Sequence, residues 1–165
     1  MEAINYLMQH RNAISRTWTK TSDGITADTT SSDADVAAMI QWHVHEMKQL
    51  IGSGGQIRAC DPLFALLESK HADVALDNTN TTHGVSVRSY ATNGDDCLAE
   101  CIQAHAGVVS AFIKEGSAQT RRCRAHNPPQ CAYDNGWVTS AAGSMPSSVP
   151  ALAFMAAAVA AAHAL

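Results

Sequence analysis

The chain has 165 residues, which is enough for one domain with tails. Charged residues make up 16% and the net charge is −4, which excludes a generally basic nucleic-acid-binding surface and a strongly charged disordered chain. The 46% hydrophobic content overstates the core: 29 residues are alanine, nine of them in the last fifteen, while Leu, Ile, Val and Phe together number 30.

Residues 1–12, MEAINYLMQHRN, carry no basic stretch followed by an apolar one, so no export signal is read there. From Ala13 to Lys20, Ile14, Arg16 and Trp18 alternate with small polar residues, which predicts a half-buried strand. Ser22-Asp23-Gly24 predicts a hairpin turn, because Asp-Gly supplies the positive φ of tight turns. Ile25, Ala27 and Thr29 then alternate as the returning strand. Ser32, Asp33 and Asp35 open a helix, since a hydroxyl caps free amides and carboxylates suit the positive helix end. That helix runs to about Ile51 and stops before Gly52-Ser53-Gly54-Gly55. Asp61-Pro62 starts a short helix over Leu63–Ser69, with Asp as cap and Pro at the first position. Further strands are expected near Asp73–Asn78 and Gly84–Tyr90, and a long helix near Asp95–Lys114 ends at Gly116.

The chain repeats itself. Thr21-Ser22-Asp23-Gly24-Ile25 matches Thr81-Thr82-His83-Gly84-Val85 at an offset of 60, and Ile40-Gln41-Trp42-His43 matches Ile102-Gln103-Ala104-His105 at 62. Each copy reads strand, turn, strand, helix, over about 12–54 and 72–116. The expected fold is α+β: two ββα repeats forming a four-stranded antiparallel sheet, with two long helices on one face. Residues 1–119 make this domain, 120–144 a Cys-containing tail and 145–165 an Ala-rich apolar tail. A homodimer exchanging elements between chains is the alternative arrangement.

The two long helices carry matched apolar stripes: Val36, Ile40, His43, Met47 and Leu50 in the first, Leu98, Ile102, His105, Val109 and Phe112 in the second. Histidine occupies the centre of both. Burying an imidazole costs about 1–3 kcal/mol per unsatisfied group, so its recurrence points to a role. His43 with Met47 and Cys101 with His105 each have i,i+4 spacing, which sets both side chains on one helix face. Two imidazoles, a thioether and a thiolate suit copper, or zinc without the Met, and two facing histidines suit haem iron. The expected function is therefore a small binding module for a transition metal or haem between the helices. One alternative is an enzyme using His43 and His105 as acid and base on a small ligand, and another is a structural or dimerising surface domain. In the plainest alternative both histidines are hydrogen-bonded core residues, Met47 is core filler, and Cys101 is a small hydrophobe or pairs with Cys60.

Of the other histidines, His10 and His71 precede the first strand of each copy and read as exposed loop residues. His45 points off the stripe near Trp42 and Glu46, and His83 sits in a hairpin turn. Arg121-Arg122-Cys123-Arg124 reads as a basic surface cluster.

The segments Asp61-Pro62-Leu63-Phe64 and Ile102-Gln103-Ala104-His105-Ala106 are the most specific parts of a wider resemblance. With His10, Ile14, Arg16, Asp23-Gly24-Ile25, His43, Met47-Lys48, Ile57-Arg58, Gly84-Val85, Phe112 and Gly116, the chain resembles an uncharacterised group of small, mostly prokaryotic proteins with the same tandem ββα pattern. The resemblance covers about residues 9–116 and implies the domain boundaries. His-rich segments in some members fit a metal context, and no activity follows from it.

The remaining features bear on compartment. Cys123 and Cys131 bracket RAHNPPQ, a loop that a disulfide would staple, and Asn80-Thr81-Thr82 is a glycosylation sequon. Small residues at 140–144, a short spacer at 145–150 and the apolar stretch ALAFMAAAVAAAHAL form the pattern of a lipid-anchor signal. Together these favour a cell-surface or secretory setting, with membrane attachment through the C-terminal tail.

Overall fold

The computed structural model describes residues 2–56, 58–116 and 125–139. The lipid-anchor pattern, the basic cluster at 121–124 and Cys123 lie outside the described residues. Within them the protein is α+β, with a four-stranded antiparallel sheet. In chain order the elements are α1 (Glu2–Gln9), β1 (Ser15–Lys20), β2 (Gly24–Thr30), α2 (Ala34–Gly52), α3 (Pro62–Ser69), β3 (Val74–Thr81), β4 (Gly84–Ala91), α4 (Asp96–Glu115) and the one-turn α5 (Gln130–Asp134). Single 3₁₀ turns, Arg11–Ala13 and His71–Asp73, lead into β1 and β3.

The sheet order is β1-β2-β4-β3, so the two hairpins meet along β2 and β4. Ala27 stands opposite Val87 in the middle of that seam. The seam is close at both ends. A Cβ on Gly24 would collide with the Ser89 carbonyl, and one on Gly84 with the Thr29 carbonyl, so glycine is required at each hairpin's inner corner. Register sets Ile25, Ala27, Val85 and Val87 on one face and Thr26, Asp28, Ser86 and Arg88 on the other, as expected of a sheet with one dry face.

The helix starts follow local chemistry. Asp33 accepts from the Asp35 and Val36 amides, Asp61 from Leu63, and Asp95 from Leu98. The dry sheet face is covered in two parts. Leu98, Ile102 and Ala106 of α4 pack on Ile25, Ala27 and Ala91. Val36 and Ile40 of α2 pack on Val85 together with Leu7 of α1. A third cluster joins Leu63 and Leu66 of α3 to Cys97 and Cys101 of α4 and to Ala132 of α5.

Cys97 and Cys131 lie at disulfide geometry, with Cα atoms 5.7 Å apart. The expected Cys123–Cys131 staple is thereby corrected: α5 carries Cys131 against the first turn of α4, where its partner is Cys97. Cys60 is disulfide-bonded, and Cys101 is free and fully buried, so the Cys60–Cys101 pairing does not form. No helix among the described residues is long and apolar enough to cross a membrane.

Candidate functional site

The site is built around Asp61. Its carboxylate caps α3 and has no exposed surface. Oδ1 accepts from the Leu63 and His126 backbone amides, both at 3.2 Å. Oδ2 accepts from His126 Nδ1 at 2.6 Å and from Arg58 Nε at 3.2 Å. Burial alone would push this carboxyl up. The hydrogen bonds from the His126 ring and amide and from Arg58 outweigh it and hold the group below the usual carboxylate range. Asp61 is therefore an anion. With Asp61 ionised, His126 Nδ1 is the donor of this short bond, and Nε2 is the ring nitrogen turned away from the carboxylate.

Arg58 lies over both Phe64 and Phe112, 5.5 and 5.1 Å from the ring centres. The same two rings contact histidines edge-on, Phe64 meeting His105 at 4.6 Å and Phe112 meeting His126 at 5.9 Å. A groove of about 470 Å³ opens beside this cluster along α4. Leu63, Ala104, Gly107, Val108 and Ala111 form its apolar wall, and Glu115, His126 and Asn127 supply polar groups. A second groove of the same size, lined by Trp18, Lys20, Glu100 and Gln103, shares Ala104 and Gly107 with it. The absence of long side chains at these α4 positions opens both grooves.

The residues expected to bind metal are distributed differently. Cys101 and His105 both face α3, Cys101 among Leu63 and Leu66 and His105 against Phe64. Burial pushes the Cys101 thiol up to about 11, and nearby Glu100 and Asp95 add to this, so it is a neutral thiol and not the thiolate a metal needs. His43 and Met47 are half-buried on α2, which packs against α1. Among the described residues no three His, Cys, Asp or Glu side chains converge as a metal site would require. Cys101 is thus not brought together with both histidines.

His43 and His105 nevertheless share one property. The Nδ1 atom of each is buried without a hydrogen-bond partner among the described residues. Burial lowers the His43 pKa, and it pushes His105 down to about 4, helped by the positive charge of Arg16. Arg16 Nε is also buried and unpartnered, while its Nη1 donates to Thr29 Oγ1 at 3.1 Å. Both imidazoles are therefore neutral at pH 7 and poor acids there.

His10 and His71 are not loose loop residues. Nδ1 of His10 bonds the Tyr6 carbonyl at 2.9 Å, and Nδ1 of His71 bonds the Glu68 carbonyl at 3.0 Å, so each closes the short helix before it. His45 and His83 are exposed, as their positions predict, with His45 beside Trp42 at 6.4 Å. The histidine that sequence reasoning missed is His126. Its only local signal is a place in a proline-rich loop, and the carboxylate that gives it meaning lies 65 residues away.

No known protein family matches the chain, and neither a characterised protein nor a solved structure matches it.

Proposed function

We propose that this domain binds a small organic molecule in the α4 groove and that His126, oriented by Asp61, accepts or donates a proton there. The Asp61–His126 hydrogen bond of 2.6 Å, made by a fully buried carboxylate, carries the reading. A carboxylate that fixes Nδ1 sets the ring orientation and leaves Nε2 as the reactive nitrogen. An apolar wall with a few convergent polar groups is the ordinary form of a small-molecule site.

The same reading treats the chain as a tandem duplicate with both long helices on the dry face of the sheet. Its units are wider than the ββα spans expected from sequence. The starts of α1 and α3 lie 60 residues apart and each helix has 8 residues, so the unit is αββα, over about 2–52 and 62–115. The likeness to small tandem ββα proteins belongs to this proposal and rests on the residues quoted for it.

The test is an amide and imidazole NMR titration of the full chain with benzoate, benzyl alcohol and benzylamine as probes. At least one probe is expected to shift Ala104, Gly107, Val108 and the His126 ring together, and His126→Gln is expected to abolish the response. A panel that leaves these residues unmoved overturns the site. Copper, zinc or haemin that raised the melting temperature and shifted His43 and His105 together would instead restore a metal centre between the helices.

A further inference from the structure

We propose that Asn80 is an acceptor for an N-linked glycan that shields the β3 edge of the sheet. The inference is independent of the α4 groove. Transfer of a glycan needs an Asn amide and a hydroxyl two residues on, with no proline between, and Asn80-Thr81-Thr82 supplies them. Structure adds what the motif lacks. Residues 79–83 are all exposed, in the last three residues of β3 and the two-residue connection to β4. The Asn80 amide makes no hydrogen bond among the described residues. Asn78, two positions earlier on the same strand face, is engaged by Lys48 Nζ at 3.3 Å and has no hydroxyl at the required spacing.

The location also answers a problem of the fold. β1 and β3 are the edge strands, and an edge strand exposes unpaired backbone groups that invite another chain. Edges are normally blunted by charge. β1 carries Arg16 and Lys20, whereas the eight residues of β3 carry one charge, Asp77. A bulky hydrated glycan near the end of β3 does for that edge what two cations do for β1. The bonded state of Cys97, Cys131 and Cys60 fits an oxidising compartment, where such transfer takes place.

The donor is an oligosaccharide linked to a lipid pyrophosphate. The bond between Asn80 Nδ2 and the first sugar carbon forms as the bond from that carbon to the pyrophosphate oxygen breaks, and the amide proton leaves as the pyrophosphate departs. No oxidant or reductant is involved.

The test is translation of the full chain, behind an appended export leader, with endoplasmic-reticulum microsomes. A single endoglycosidase-sensitive mass step is expected for the parent and for Thr82→Ser. The step is expected to vanish in Asn80→Gln and in Thr82→Ala, with the Cys97–Cys131 linkage in those variants reporting that they have folded. A parent chain without the step, or a step that persists in Asn80→Gln, overturns the site. Enzymatic removal of the glycan from the folded protein is expected to produce concentration-dependent self-association by sedimentation. Unchanged sedimentation after removal overturns the shielding role.

Discussion

Gln41 and Gln103 make the same two hydrogen bonds to opposite hairpins. Gln41 Nε2 on α2 donates to the Thr81 and Gly84 carbonyls at the β3–β4 turn, at 2.8 and 3.1 Å. Gln103 Nε2 on α4 donates to the Thr21 and Gly24 carbonyls at the β1–β2 turn, at 3.1 and 3.3 Å. Each long helix thus secures the hairpin that does not directly precede it, which ties the two halves together. Replacing either Gln by Ala is expected to cost about 0.5–1.5 kcal/mol in urea unfolding. Hydrogen exchange should quicken at the hairpin that the lost side chain touches, and the double variant should be additive to within about 0.5 kcal/mol. Faster exchange only in the hairpin preceding the altered helix would contradict this cross-tie.

The two central histidines make stability depend on pH in a defined direction. His105 has a folded value of about 4 against an ordinary 6.5. As pH falls through 6.5 the unfolded chain takes up a proton that the folded chain refuses until about 4. Stability is therefore full above 6.5 and declines between 6.5 and 4, by about 3 kcal/mol at 1.36 kcal/mol per unit. His43 acts in the same direction. His105→Leu is expected to flatten this slope and, by removing a buried unpartnered nitrogen, to leave the protein at least as stable at pH 7. Denaturant midpoints at pH 7, 5.5 and 4.5 check both points. If the two histidines share no ligand, His43→Leu and His105→Leu add independently, with or without zinc.

Asp61 gives a second, more acidic dependence. Its folded carboxyl lies below the ordinary 3.8, so its contribution is present above 3.8 and is lost as pH falls through the folded value. Asp61→Ala removes the carboxylate oxygen that His126 Nδ1 and Arg58 Nε share, and also uncaps α3. The expected loss is about 3–5 kcal/mol at pH 7, the range for removing one partner of a buried pair. The excess acid sensitivity below pH 4 should disappear with it. Thermal unfolding at pH 7 and pH 3 distinguishes this from a loss that is equal at both.

The segment 125–139 is held by the Cys97–Cys131 bond, the His126–Asp61 pair and the Lys70–Trp137 contact, where Nζ lies 4.1 Å from the indole centre. For a sequence separation of 34 residues, loop-closure entropy assigns the disulfide about 3–4 kcal/mol. Cys97→Ala/Cys131→Ala is expected to lower stability by that order and to weaken the His126–Asp61 contact. Cys101, a buried neutral thiol in the intact protein, should then react with iodoacetamide severalfold faster. Alkylation of Cys101 at an unchanged rate would mean that α5 does not guard it.

Where a signal was local, the sequence by itself determined the outcome. Asp61 caps its helix as its spacing predicts, because a capping carboxylate needs only amides two or three residues ahead, whereas α2 is capped by the Asp33 carboxylate and not by the expected Ser32 hydroxyl. Both hairpins form at the predicted turns, and Ile14, Arg16 and Trp18 are half-buried as their alternation requires. α1 carries no expectation above although its sequence is amphipathic, and its apolar face packs Leu7 against Val36 and Ile40.

Tertiary structure alone decided the rest. His105 and Cys101, expected to face the other long helix, lie instead against Leu63, Phe64 and Leu66 of α3. Periodicity fixes which residues share a helix face but not which neighbour covers it. The pairing of Cys97 with Cys131, and the meeting of Asp61 with His126, each join residues remote in the chain. Such contacts are set by how α3, α4 and the returning segment pack against one another, and no residue near Asp61 or His126 in sequence encodes the other's position.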